Sequence, residues 1–107
     1  MAAPFHVASE DIRVDNGHIL RARVAKGGEH VDAEIDLNTV LGNENGHFAW
    51  GGEGFALSAQ NITFSIEGGA SVPVLRAELR KVDGELVNAD VNLAERIVND
   101  DGRLVLA

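Results

Sequence analysis

The chain of 107 residues has no cysteine. Disulfides and thiolate metal sites are excluded, so a domain this small must hold together by apolar packing. The absence also fits a reducing compartment. No apolar run approaches the length that spans a bilayer, and the start of the chain lacks the basic stretch and long apolar run of a signal peptide. The expectation is a cytoplasmic protein with no membrane partner, with release by a non-classical route left open. Positive charge is scarce: 9 Lys and Arg stand against 17 Asp and Glu, for a formal net charge of -8. That balance argues against a basic nucleic-acid interface and suits a neutral partner. Catalytic and cofactor motifs are missing too, with no nucleophile elbow, phosphate loop or metal box. His6, His18, His30 and His47 show no ligand spacing. His18, His30 and His47 lie in or beside turns and read as solvated loop residues. No metal or other cofactor is expected.

What the chain does contain is a second copy of itself. Residues 35–50 run Ile-Asp-Leu-Asn-Thr-Val-Leu-Gly-Asn-Glu-Asn-Gly-His-Phe-Ala-Trp, and residues 91–106 run Val-Asn-Leu-Ala-Glu-Arg-Ile-Val-Asn-Asp-Asp-Gly-Arg-Leu-Val-Leu, and the two align without a gap. The stretch 5–14 likewise reads against 55–64. A unit this short rarely encloses a core of its own, so the halves are expected to complete each other. Any surface site is then expected to come in two versions.

Turn signals fall at close intervals: Asn16-Gly17, Gly27-Gly28, Asn45-Gly46, Gly51-Gly52, Gly68-Gly69, Asp83-Gly84 and Asp101-Gly102. Between them the pattern alternates. Leu20, Ala22 and Val24 share one face opposite Arg21 and Arg23, and Leu75, Ala77 and Leu79 oppose Arg76, Glu78 and Arg80. Short alternating segments between regular turns predict an all-β chain. The stretches 36–41 and 92–97 instead begin with a capping Asp36 or Asn92 and space their apolar residues by three or four, which predicts one 3₁₀ or helical turn each. Pairing equivalents predicts a core: Ile12 with Ile62, Leu20 with Leu75, Val24 with Leu79, Ile35 with Val91, Leu37 with Leu93, Leu41 with Ile97, Phe48 with Leu104 and Trp50 with Leu106. The glycine-rich stretch 50–55 joins the halves as a hinge, and a hinge that reopens allows exchange between molecules.

Two turns could carry recognition, 43–46 (Asn-Glu-Asn-Gly) and 99–102 (Asn-Asp-Asp-Gly). Short amides and carboxylates held beside glycine offer the fixed, directional hydrogen bonds that a polyhydroxylated ligand requires. The same residues also belong in turns for backbone reasons, so both roles stay open at this level. Asp100 and Asp101 are neighbours in an open turn. They lack the separation across a cleft, with one carboxyl in an apolar pocket, that a glycosidase needs. The glycine also falls too late for a calcium loop, and no glutamate follows at the required spacing.

The two copies, 35–50 and 91–106, resemble the halves of cyanovirin-N. The opening 5–14 and the stretch 47–52 are similar to its cysteine-free fungal homologues. The resemblance spans nearly the whole chain. It implies a pseudo-symmetric tandem repeat in which each pseudo-domain is a three-stranded sheet plus a β-hairpin, with strands exchanged between repeats. One pseudo-domain would be 1–39 plus 96–107 and the other 40–95. It implies no enzyme but a lectin that binds oligosaccharides of the oligomannose type, typically α1→2-linked, at two sites on opposite ends. The disulfide positions of cyanovirin-N fall near Ser9 and Val24 and near Ala59 and Leu79, so apolar packing must replace them.

Carried over by position, the chain-end site is Pro4, Val7, Ala8, Ala25, Lys26, Gly27, Asn99, Asp100 and Asp101. The mid-chain site is Asn43, Glu44, Asn45, Glu53, Gly54, Leu57, Ser58, Lys81, Val82 and Asp83. Both depart from the family pattern. The Asn-x-Asp turn survives at 99–101 but reads Asn43-Glu44-Asn45 in mid-chain. The arginine that can close over the sugar is absent, with Asp83 as a partial substitute. Several polar contacts are lost, which predicts weak or altered specificity, with the chain-end site favoured because it keeps its carboxylate. A monomer is expected, because Gly51-Gly52 lacks the hinge proline of cyanovirin-N. A domain-swapped dimer stays open, as does a protein-interaction scaffold on the same fold that has lost sugar binding.

Overall fold

The computed structural model describes residues 3–7 and 9–107. Its strands are β1 (Ala3–Pro4), β2 (Glu10–Asp15), β3 (Ile19–Lys26), β4 (Glu29–Asp36), β5 (Leu41–Glu44), β6 (His47–Trp50), β7 (Ala59–Glu67), β8 (Val72–Arg80), β9 (Leu86–Asn92), β10 (Ile97–Asp100) and β11 (Arg103–Leu106). They form four sheets, β1-β10-β11, β2-β3-β4, β5-β6 and β7-β8-β9, and every pairing is antiparallel. The described residues include 3₁₀ turns at Leu37–Thr39, Phe55–Ser58 and Leu93–Glu95, with no α-helix. The molecule is elongated, 49 × 25 × 23 Å.

Local chemistry explains the elements. Asp36 accepts a hydrogen bond from the Asn38 N–H and Asn92 from the Ala94 N–H, both at 2.9 Å, so each capping residue starts the 3₁₀ turn that follows it. The tips of hairpins β5–β6 and β10–β11 place Asn45 and Gly46, and Asp101 and Gly102, at positive φ. Two consecutive positive φ values are the two-residue turn whose twist matches paired strands. Sheets β2-β3-β4 and β7-β8-β9 each carry a bulge in the first strand, with Asp11 at φ 51 and Asn61 at φ 53. A bulge adds local twist and bends the strand.

The alternation predicted in β3 and β8 holds: Leu20, Ala22, Val24, Leu75, Ala77 and Leu79 are all buried. Val24 and Leu79, near which the resemblance puts the disulfides of cyanovirin-N, are fully enclosed. Leu37, Leu93, Leu41 and Ile97 are buried too, while Ile12, Ile62, Ile35, Val91, Phe48, Trp50 and Leu106 pack half-buried against them. The two largest buried side chains, Phe5 and Phe55, are absent from the predicted core pairs. Each opens its repeat outside any alternating strand, so no period marks it. Phe55 meets Phe48 in a tilted pair with centroids 5.6 Å apart.

The halves interlock through their hairpins. Hairpin β5–β6, which follows the first sheet in sequence, packs on β9 of the second sheet, and hairpin β10–β11 packs on β4 of the first. β1 joins the latter, with Ala3 opposite Asn99 and Pro4 opposite Val98. The linker predicted as a free hinge is latched in the folded chain. The Gly51 N–H donates to the Val40 carbonyl at 2.8 Å, the Gly54 N–H to the Asn38 carbonyl at 2.7 Å, and the Ala56 N–H to Asn38 Oδ1 at 3.0 Å. His18 also departs from expectation. It is no solvated loop histidine: its side chain is 29% exposed and its Nδ1 lies 2.8 Å from Asp36 Oδ1. The β2–β3 turn folds onto the first 3₁₀ turn, where the His18 carbonyl also accepts from the Leu37 N–H at 2.7 Å.

Candidate functional site

The mid-chain candidates gather around the tip of hairpin β5–β6. Asn43 Oδ1 accepts from the Gly46 N–H at 2.9 Å, closing the turn, while its Nδ2 donates to Ser58 Oγ and to the Arg80 carbonyl, each at 2.8 Å. Asn45 Oδ1 accepts from the Val82 N–H at 2.9 Å. The tip is thus bolted to the end of β8 and to the 3₁₀ turn that starts the second half. Gly46 makes the close approach possible: a Cβ there would lie 2.5 Å from Val87 Cγ2 and 3.0 Å from Lys81 Cγ. Glu44 is exposed at the tip. Leu57 and Val82 are each 91% exposed, an unusual degree for aliphatic side chains. Gly54 heads the 3₁₀ turn of Leu57 at φ 71, and the exposed Glu53 has its backbone against Gly42. Asp83 does not reach the tip; its carboxylate accepts from the Glu85 N–H at 2.9 Å and lies 4.0 Å from Lys81 Nζ, within its own turn.

The chain-end candidates repeat this construction. Asn99 Oδ1 accepts from the Gly102 N–H at 2.9 Å and Nδ2 donates to the Ala25 carbonyl at 2.8 Å. Ala25 and Arg80 occupy equivalent ends of β3 and β8. The Lys26 stem lies over Gly102 as the Lys81 stem lies over Gly46, since a Cβ on Gly102 would fall 2.8 Å from Lys26 Cδ. Gly27 turns the chain at φ 55 beside them. Asp100 and Asp101 are exposed at the tip, and their carboxylates make no hydrogen bond or ion pair among the described residues. β1 sets the backbone of Pro4 beside Val98, and Val7 is 54% exposed. Ala8 lies outside the described residues.

Direct contacts therefore join Asn43, Asn45, Ser58, Lys81 and Val82 at one tip, and Ala25, Lys26 and Asn99 at the other. The amides of Asn43 and Asn99 are committed to holding the tips, which leaves outward recognition to the neighbouring carboxylates, backbone groups and exposed side chains.

Residue-by-residue reading missed a groove of about 930 Å³ between hairpin β5–β6 and the outer face of β7-β8-β9. Asn45 and Lys81 line its end, and Asn61, Thr63, Asn88 and Asp90 line its floor. The alternation read in β8 placed Arg76 and Glu78 outward, but nothing local showed that a hairpin would wall in that face. Beside it Arg76 grips Glu67 with both guanidinium nitrogens, and with Ser65 Oγ it holds the Glu67 carboxyl down at about 2. At the other sheet, the His18 hydrogen bond is the main cause that keeps the Asp36 carboxyl below its ordinary value, and the Asn38 amide adds to it.

A strand-exchanged, duplicated all-β frame with a rigid polar hairpin tip on each repeat defines a small pseudo-symmetric tandem-repeat architecture. Residues 5–105 match the CVNH domain, and the chain belongs to that family. It is 46% identical over 103 residues to a cyanovirin-N homolog of Neurospora crassa, covering 92% of this chain and 93% of the relative. The solution structure of the Gibberella zeae CVNH protein superposes with a TM-score of 0.91 at 50% identity, covering 95% of each chain. Two similar structures hold sugars. Microvirin in complex with mannobiose has a TM-score of 0.85 at 25% identity over 100% of each chain. A MoCVNH3 variant in complex with an N-GlcNAc tetramer has a TM-score of 0.84 at 28% identity, covering 99% of this chain and 98% of the other.

Proposed function

We propose that this protein is a non-catalytic lectin that binds mannose-type oligosaccharides, α1→2-linked, at its two hairpin tips, with lower affinity or altered specificity relative to disulfide-bonded members. The observation that carries the proposal is the repeated latch. At both tips an asparagine fixes the turn to the end of the facing strand, so the backbone that carries the exposed Asp100, Asp101 and Glu44 is held in place before a ligand arrives. Preorganised acceptors at an open surface suit neutral hydroxyl-rich ligands, because ordering costs little on binding. The mannobiose complex of microvirin supports the mannose assignment; the N-GlcNAc complex of the MoCVNH3 variant names the competing sugar. Each neutral hydrogen bond lost from the family pattern is worth roughly 0.5–1.5 kcal/mol, so two or three losses weaken binding by about one to three orders of magnitude.

The chain-end tip is the stronger site, since its two exposed carboxylates have no internal partner. An NMR titration of labelled protein with mannobiose, mannose and N-acetylglucosamine oligomers tests this. The Asp101→Asn variant keeps a side chain that tolerates φ 49 and removes the charge. It should weaken mannobiose binding at the chain-end tip, whereas unchanged binding in that variant and complete loss in Glu44→Gln would reverse the ranking. Absence of any shift at high sugar concentration would leave an interaction scaffold on the same fold. The latched linker supports a monomer, which sizing at low concentration checks.

A further inference from the structure

We infer that the groove beside hairpin β5–β6 is a second carbohydrate subsite, which receives the continuation of an oligosaccharide longer than two residues. The inference rests on the reading of the protein as a sugar binder, but it concerns a different surface from the hairpin tips. The floor is two rows of outward side chains across β7, β8 and β9. Thr63 lies opposite Arg76 and Arg76 opposite Asp90; Gln60 lies opposite Glu78 and Glu78 opposite Asn88. Strand spacing and rise make this a polar grid about 10 Å across and about 7 Å between rows. Arg76 is occupied by Glu67, and Glu78 accepts from Asn61 Nδ2. The side chains of Thr63 and Asn88 make no hydrogen bond among the described residues, and Asp90, which faces the Arg76 guanidinium, makes none either, so all three offer hydrogen-bonding groups to a ligand. Phe48 and His47 on the hairpin supply a wall with apolar ring surface. An aromatic wall over neutral amide and hydroxyl groups is chemistry that suits a sugar ring, with an apolar C–H face and a rim of hydroxyls.

The first half supplies the contrast. The equivalent face of β2-β3-β4 holds a cavity of only about 290 Å³, lined by Arg13, Arg21, Asp32 and Glu34. Its charges face one another: Arg23 lies 3.5 Å from Glu10 and 3.9 Å from Asp32, and Arg21 lies 3.7 Å from Glu34. The shape was duplicated, but the chemistry was not. Among the described residues the second half has the roomier face, and on it the neutral side chains of Thr63 and Asn88 make no hydrogen bond. Because Asn45 and Lys81 belong both to the groove and to the hairpin tip, one sugar chain can run from the tip onto the sheet.

The test is a ¹⁵N titration with mannobiose, α1→2-linked mannotetraose and an N-acetylglucosamine tetramer, using wild type and a Thr63→Val/Asn88→Ala variant. A tetramer should move the amides of Thr63, Asn88 and Asp90 as well as Asn45, whereas mannobiose should move only the tip. The variant should bind the tetramer about fivefold more weakly or worse and keep its mannobiose affinity. Tip shifts without groove shifts, or equal tetramer affinity in both proteins, would overturn the groove assignment and leave tip binding intact. No shift at either place with any of the three sugars would overturn both.

Discussion

Replacing Asn43 with alanine removes three hydrogen bonds at once: the acceptor that closes the turn on the Gly46 N–H, and donors to Ser58 Oγ and the Arg80 carbonyl. A typical intramolecular hydrogen bond contributes about 1 kcal/mol net. The bond to Arg80 is exposed and falls at the low end, while the other two are partly buried. The expected loss is roughly 2–3 kcal/mol. Asn99→Ala removes two bonds of the same kind, to Ala25 and from Gly102, so it should lose about 1–2 kcal/mol. The difference between the two variants is the Ser58 contact, which has no counterpart bond at the other tip among the described residues. Urea denaturation measures each loss, with a slope of about 1–3 kcal/mol per molar for a domain of this size. Ser58→Ala and the double variant complete a cycle whose coupling should be about 1 kcal/mol. The reasoning fails if Asn43→Ala stays within about 0.5 kcal/mol of wild type, or if the two sites are additive, because the amide would then not act as the bolt described here.

Four further outcomes follow from the same structure. Gly46→Ala and Gly102→Ala place a Cβ at φ 90 and 91 against Val87 and Lys26, and each should destabilise by about 1–3 kcal/mol in denaturation. Gly46 should suffer more, because Val87 is branched and held in a strand. His18→Ala removes the main cause of the lowered Asp36 carboxyl, so NMR titration should show Asp36 moving up toward 3.8. For a lowered carboxyl the added stability is present above 3.8 and lost as pH falls through the folded value, so the gap between wild type and His18→Ala should close in acid. Arg76→Ala should let Glu67 rise from about 2 toward 4.5, read from its carboxyl carbon shift. Phe5→Ala and Phe55→Ala should each cost about 3–5 kcal/mol in denaturation, since both rings are fully enclosed.

Much of the frame was legible before any coordinates. Leu20, Ala22 and Val24 could be assigned to one buried face because a strand alternates with period two, and the capping roles of Asp36 and Asn92 because a side-chain oxygen two residues before a free N–H closes the turn. The candidate sites were legible in part. Their turns could be located, but the amide of Asn43 looked like an outward donor. Its partners Ser58 and Arg80 are 15 and 37 residues away, and those of Asn99 include Ala25, 74 residues away. Phe5, Phe55 and His18 were misjudged or overlooked for the same reason, since each lies outside a periodic strand and takes its role from a distant neighbour.

The sequence alone determined the all-β class, the duplication, the turns and the inward faces of β3 and β8, because backbone preference and side-chain period act over a few residues. Tertiary structure alone decided that each hairpin packs on the sheet of the other half, that the tip asparagines serve as bolts, and that one outer sheet face became a roomy polar groove while its twin holds a smaller cavity lined by ion pairs. Those outcomes depend on long loops closing and on which side chains meet across them, and no local period encodes a meeting between residues so far apart along the chain.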